Sequence, residues 1–110
     1  ATNLILPVLT NGTQTTNFNT AVTANGNRGV LTLYSATLFG GSGNQKAFAF
    51  TNSYISATSV INLLPVAPSG EGYPHVFLNS IGSGTCTMTI SNIGYTSITS
   101  TINIHYQIVN

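Results

Sequence analysis

The sequence predicts an all-β protein: a single-domain antiparallel β-sandwich or jelly roll of about seven or eight strands, with an extended N-terminal arm. Three observations carry this. First, Gly and Asn cluster at short, fairly even intervals: TNGT at 10–13, ANGNRG at 24–29, FGGSGN at 39–44, APSGEGYP at 67–74, GSG at 82–84 and SNIG at 91–94. Each is a turn signal, because Gly and Asn accept positive φ cheaply and Pro fixes φ near turn values. Second, the segments between them alternate apolar with polar residues, the period of a half-buried strand. Third, Thr, Ser, Asn, Val and Ile dominate, and no segment places apolar residues at three-four spacing opposite charged ones, so helices are not expected. The length, 110 residues, suits one domain with one core.

Taken in order, residues 1–20 read as an extended N-terminal arm or an edge strand, and residues 21–110 as the sandwich. NLILPVL is an apolar run broken by Pro7, and the Thr- and Asn-rich residues after it look more like a linker than a core strand. The arm's Leu4, Ile5, Leu6, Pro7, Val8 and Leu9 are the candidate partner interface. GVLTLYSATL (29–38) and QKAFAFTN (45–52) flank a Gly-rich loop and read as a long hairpin, with Phe48 and Phe50 on one face. NSYISA is a polar bend, and TSVINLLPV a β-branched strand closed by Pro65 and Pro68. GYPHVF reads as loop-like. Cys86, Met88 and Ile90 alternate with Thr85, Thr87 and Thr89. Ile102, Ile104, Tyr106 and Ile108 alternate with Thr101, Asn103, His105 and Gln107. Both are strands with one wet face.

Composition narrows the function. Charged residues make up 3% of the chain, against about 25% in a typical soluble domain. Their place is taken by 17 Thr, 13 Asn and 11 Ser, which hydrate well but supply no mutual repulsion. The formal net charge is +1, from Arg28 and Lys46 against Glu71. No basic patch exists to neutralise phosphates, so nucleic acid is not an expected partner. Near-neutral proteins associate readily, so self-assembly is expected. No apolar run reaches the roughly 18 residues of a membrane helix, and Thr stands where a transmembrane barrel would need lipid-facing residues; no membrane partner is expected. The start has no basic n-region and is not an intact secretory signal, although Ala1 fits either a cleaved signal or a removed initiator Met.

Chemistry is hard to place. Glu71 is the sole side-chain carboxylate, which excludes paired-carboxylate hydrolysis and carboxylate cages within one chain. His75 and His105 fall short of the three or four ligands of a zinc site, and a Ser-His-Asp triad lacks its Asp. Cys86 reads as a small core hydrophobe, and the sequon Asn11-Gly12-Thr13 as a coincidence of composition. No enzymatic activity and no cofactor are expected. A sugar site is harder to dismiss: Tyr34, Tyr54, Tyr73, Tyr95 and Tyr106 are candidate platforms, although most are expected to pack with only the hydroxyl wet.

The series NGNRGVLTLYSATL, KAFAFTNSYISATSVI, PHVFLNSIGSGTCTMTISNIG and STINIHYQIV resembles a small β-sandwich domain recurrent in phage and other viral structural proteins. The likeness covers roughly residues 24–109. Members occur as trimeric capsid decoration proteins and as tips of tail fibres or spikes. ATNLILP and IHYQIVN look like the ends of a standalone chain, which favours the first form. The resemblance therefore implies a virion protein on the outer capsid surface, a cement protein that self-associates as a homotrimer and docks on the major capsid protein. The alternative is a receptor-binding head whose loops 39–44 or 67–74 contact host glycans.

Overall fold

A computed structural model describes residues 8–34, 37–41, 45–66 and 72–110. These form eight strands and no helix: β1 (Gly12–Thr13), β2 (Val22–Thr23), β3 (Arg28–Thr32), β4 (Lys46–Thr51), β5 (Val60–Val66), β6 (Pro74–Gly82), β7 (Thr85–Asn92) and β8 (Asn103–Val109). They make two four-stranded sheets, A in the order β1-β3-β8-β5 and B in the order β2-β4-β7-β6. The molecule is the β-sandwich expected from the sequence. The long strands pair antiparallel, whereas the short β1 and β2 lie parallel to β3 and β4.

Alternation decides which residues face the core. From β8, Ile104, Tyr106 and Ile108 point inward to meet Phe48 and Phe50 of β4, Cys86, Met88 and Ile90 of β7, and Leu31 of β3. Each large apolar side chain buried this way contributes about 1.5–3 kcal/mol. The Phe50 and Tyr106 rings meet edge-on, with centroids 5.0 Å apart, and so tie the two sheets together at mid-core.

The expected 29–38/45–52 hairpin does not form. β3 pairs with β8 in sheet A, and β4 with β7 in sheet B. Between them Leu33 and Leu38 are buried, and Leu38 exchanges backbone hydrogen bonds with Ile98 (2.8 and 2.9 Å) rather than with a hairpin partner. Alternating strands accept any partner that buries the same face, and burial of Leu33 and Leu38 outweighs local closure. GYPHVF is likewise no loop, since His75 lies within β6.

From Val8 onward the N-terminal segment is built into the chain's own sandwich. Thr10 N–H donates to Arg28 O (3.0 Å), and the Tyr106 hydroxyl donates to Thr10 O (2.7 Å). That approach needs Gly29, since a Cβ there would sit 1.9 Å from Thr10 O. Further on, buried Gln14 gives its amide N–H groups to Phe18 O (2.8 Å) and Thr20 O (2.9 Å) and accepts from Tyr34 N–H (3.1 Å). Residues 12–20 thus fold onto the core through an edge strand and a braced loop. Asn11 of the sequon is also engaged, accepting from Val30 N–H at 3.0 Å.

The sheet edges are guarded without charge. β1 and β2 have two residues each. Ile108 N–H donates to Asn27 O on the β3 side, so alternation turns the backbone of Val60, Asn62, Leu64 and Val66 toward β8 and that of Ile61, Leu63 and Pro65 toward the open edge. By the same reasoning Ile93 N–H donating to Tyr73 O turns Pro74 outward on β6, which also carries a bulge between Leu78 and Ser80. Each open edge therefore has a proline where an N–H would invite a foreign strand. Pro65→Val and Pro74→Val should each raise self-association, measured by size-exclusion chromatography with light scattering. One restored hydrogen bond contributes about 1 kcal/mol, roughly fivefold in the association constant.

Candidate functional site

Two surfaces stand out once the core is accounted for. The first is the outer face of sheet A. Its rows, read across β5, β8 and β3, are Asn62–Gln107–Arg28, Leu64–His105–Val30 and Val66–Asn103–Thr32, with Val60 opposite Val109 beyond them. Val60, Leu64, Val66 and Val109 are exposed, Leu64 at 63%. A depression of about 220 Å³ lies between β5 and β8, and one of about 390 Å³ runs from β8 over Arg28 to Leu9. Arg28 is the one Lys or Arg on this face, so the face can approach another neutral surface without a large desolvation cost.

Of the six candidate interface residues, Leu4, Ile5, Leu6 and Pro7 lie outside the described residues. Val8 and Leu9 are both exposed, Leu9 forming a parallel bridge to Arg28 and lining the larger depression. Val8 is held by Asn27, whose Oδ1 accepts the Val8 N–H at 2.7 Å.

The second surface is the end of the sandwich where loops 37–41, 72–73 and 93–98 meet. Asn92, the last residue of β7, is fully buried there. Its Oδ1 accepts from Tyr73 N–H (3.0 Å) and Gly94 N–H (3.0 Å), while its Nδ2 donates to Leu38 O (3.1 Å) and Thr96 O (2.7 Å). One neutral amide thus clamps three loops. Gly41 N–H adds a bond to Gly94 O (3.0 Å), and Gly94 lets the Tyr73 ring pass, as a Cβ would lie 3.0 Å from its Cδ2. Held by this clamp, Phe39, Tyr73, Ile93 and Tyr95 are exposed, Tyr73 at 71% and Tyr95 completely. At the opposite end Asn52, directly after the neighbouring antiparallel β4, does the same work: Nδ2 donates to Gly26 O (2.6 Å) and Oδ1 accepts from Tyr54 N–H (2.9 Å).

The five tyrosines divide accordingly. Tyr106 is core, and Tyr34 packs edge-on against Phe18 (6.3 Å) with Tyr54 similarly part-exposed, whereas Tyr73 and Tyr95 stand out at the clamped end. His75 is on the outer face of sheet B beside Phe77, and His105 on that of sheet A, so the two imidazoles are on opposite faces. Among the described residues no three of His, Cys, Asp and Glu gather as a metal site, and no helix is long and apolar enough to cross a membrane. Of the loops nominated for glycan contact, residues 42–44 and 67–71 lie outside the described residues.

Cys86 is buried between Phe50 and Ile81, and burial pushes its thiol up to about 11. Burial raises the Tyr106 hydroxyl in the same direction. Both groups fold neutral, so the stability they contribute is complete below their unfolded pKa values and is lost as pH rises through the folded ones. Urea unfolding should therefore show stability falling from about pH 9, by at most roughly 2–3 kcal/mol for the thiol. Cys86→Val should remove that part of the decline, and a native chain at pH 8 should resist thiol reagents until unfolded.

Sequence alone missed Gln14, Asn52 and Asn92 as structural hubs. The available signal was an Asn at the close of each of two core strands, FTN at 50–52 and ISN at 90–92, with turn residues following. No family model matches the chain, and no curated protein or solved structure matches it either.

Proposed function

We propose that this chain is a non-enzymatic virion structural protein of the capsid decoration type, which works by associating with copies of itself, as a homotrimer, and with the major capsid protein of a shell. The observation that carries the reading is the outer face of sheet A: neutral but for Arg28, lined by exposed Val60, Leu64, Val66 and Val109, and continuous with Leu9. The resemblance to viral sandwich domains adds the setting. Because both open edges carry prolines, association proceeds through this face rather than by strand addition. Such contacts bury apolar and neutral polar surface and depend little on salt.

Sedimentation of the chain at micromolar concentration tests the reading first. The native protein should sediment as an oligomer, and Leu64→Asp, which places an unpaired charge on the face, should return it to monomer. A native monomer would sink the trimer. Cosedimentation with purified capsids should then show binding that weakens in a chain lacking residues 1–7, a truncation that leaves the β3-docked segment from Val8 intact.

A second reading is favoured by the clamped aromatic end. In it the chain is the receptor-binding head of a fibre or spike that contacts host glycans, and it binds host cells rather than capsids.

A further inference from the structure

We infer that the clamped end is a binding site for neutral oligosaccharides, with Tyr95 and Tyr73 as stacking platforms and Phe39 as a flanking apolar wall. The inference rests on the receptor-head reading, to which it adds the residues and the ligand chemistry. It starts from a mismatch. Two tyrosines, a phenylalanine and an isoleucine are exposed together at one end of a 110-residue chain, on loops that the fold has taken care to fix. Asn92 makes four hydrogen bonds with four different residues of those loops, Leu38 exchanges two with Ile98, and Gly41 donates one to Gly94. Loops that only connect strands need no such bracing. Loops that must hold rings in fixed positions do, because a preorganised platform pays its ordering cost before the ligand arrives.

The chemistry of the end selects the ligand. The apolar C–H face of a pyranose stacks on an aromatic ring, and a tyrosine hydroxyl can join the hydrogen bonds of the sugar's own hydroxyls. Around the rings the same loops offer Thr37, Thr96 and Ser97, which are exposed or half-buried hydroxyl donors and acceptors. Loops 37–41, 72–73 and 93–98 contain no charged side chain. Lys46, the first residue of β4, stands at this end too, but it is half-buried and shares the inward side of Phe48 and Phe50, so a sialic acid, uronic acid or phosphorylated sugar would find no exposed cation beside the rings, and the ligand is neutral. The same lack of exposed Lys and Arg argues against an anionic membrane surface, whose attraction for a protein tip depends on basic residues. Single-site binding through two or three stacking contacts is weak, and the oligomer of the proposed assembly would multiply it by avidity.

The test uses the full chain on a printed array of neutral and anionic glycans, followed by titration of the best neutral glycan with Tyr resonances observed by NMR. Selective binding of neutral glycans, with shifts confined to Tyr73 and Tyr95, is expected. Tyr95→Ala, whose side chain is fully exposed and so cannot carry the fold, should weaken binding about tenfold. Tyr54→Ala, at the opposite end of the sandwich beside Asn52, should leave the affinity unchanged. Binding only to anionic glycans, binding to phosphatidylcholine vesicles instead of glycans, or full binding by Tyr95→Ala would each overturn the inference. Labelled protein added to host cells separates the two levels. Cells bound with no neutral glycan recognised defeats the sugar site and leaves the receptor head standing, whereas cells left unbound together with a silent array defeats both.

Discussion

Asn92→Asp is expected to destabilise the protein by about 4 kcal/mol at pH 7, and by progressively less toward pH 3. The substitution changes one atom and almost no volume, so packing is not the cause. The native Nδ2 donates to Leu38 O and Thr96 O, both carbonyls, in a fully buried site. A carboxylate would turn a second acceptor toward those acceptors and bury a charge with no cation among its contacts. The protein's remedy is to keep the Asp protonated, which raises its folded pKa above the unfolded value. A raised folded pKa costs nothing extra below the unfolded pKa and about 1.4 kcal/mol per pH unit above it, until the folded pKa is passed. Even protonated, the acid has one hydrogen for two carbonyls, so a loss of about 1–2 kcal/mol should remain at low pH. Urea denaturation from pH 3 to 7 measures the slope directly. A pH-independent loss under 1 kcal/mol would mean that the amide does not clamp the three loops. The same variant should abolish any recognition by the aromatic end, because Tyr73 is held through Asn92 Oδ1.

Phe50→Ala should cost about 3–5 kcal/mol, enough to leave much of the protein unfolded at 37 °C if its total stability is ordinary for its size. Phe50 has no exposed surface, lies between Val22 and Cys86 in sheet B, and meets the Tyr106 ring of sheet A. Truncation would open a void at the junction of both sheets. It would also free the ring whose hydroxyl fixes Thr10 O, so the N-terminal segment should loosen with it. Hydrogen exchange provides the check: Thr10 and Gln14 N–H, bonded to Arg28 O and Thr32 O, should lose protection in Phe50→Ala well before the β6–β7 pair does. Phe50→Leu, which keeps most of the volume, should recover more than half of the stability.

Edge protection puts the low charge in a different light. With 3% charged residues the chain cannot place Lys or Glu along its open strands. Pro65, Pro74, the bulge beside Leu78 and the two-residue β1 and β2 do that work by withholding donors and length. Interior polar duties fall likewise to amides: Gln14, Asn52 and Asn92 are buried, and among the described residues no buried side-chain N or O lacks a partner. A neutral amide brings donors and an acceptor into the core without the cost of burying an ion. The twenty uncharged residues 47–66 have the same explanation, since the chain there leaves sheet B, turns at the Asn52 hub and returns through sheet A.

Alternation alone identifies the long strands around 85–90 and 102–108 and the faces they turn inward. Period-two alternation in 85–90 and 102–108 put Cys86, Met88, Ile90, Ile102, Ile104, Tyr106 and Ile108 in the core, because side-chain direction in a strand is fixed by local geometry alone. Turn chemistry located some boundaries for the same local reason, as at GSG between β6 and β7, whereas TNGT holds β1 and ANGNRG runs into β3. Which strands pair is settled by the folded chain as a whole. β3 and β4 look like a hairpin in sequence, yet each finds its partner far along the chain, because alternation specifies a buried face and not a neighbour. Residues 10–20 read as a linker because their burial depends on Gln14, whose three partners are set by the folded chain. The candidate sites were hidden for that reason too. Phe39, Tyr73 and Tyr95 are far apart in sequence and share no motif; the sandwich topology and the buried amide of Asn92 bring their loops together.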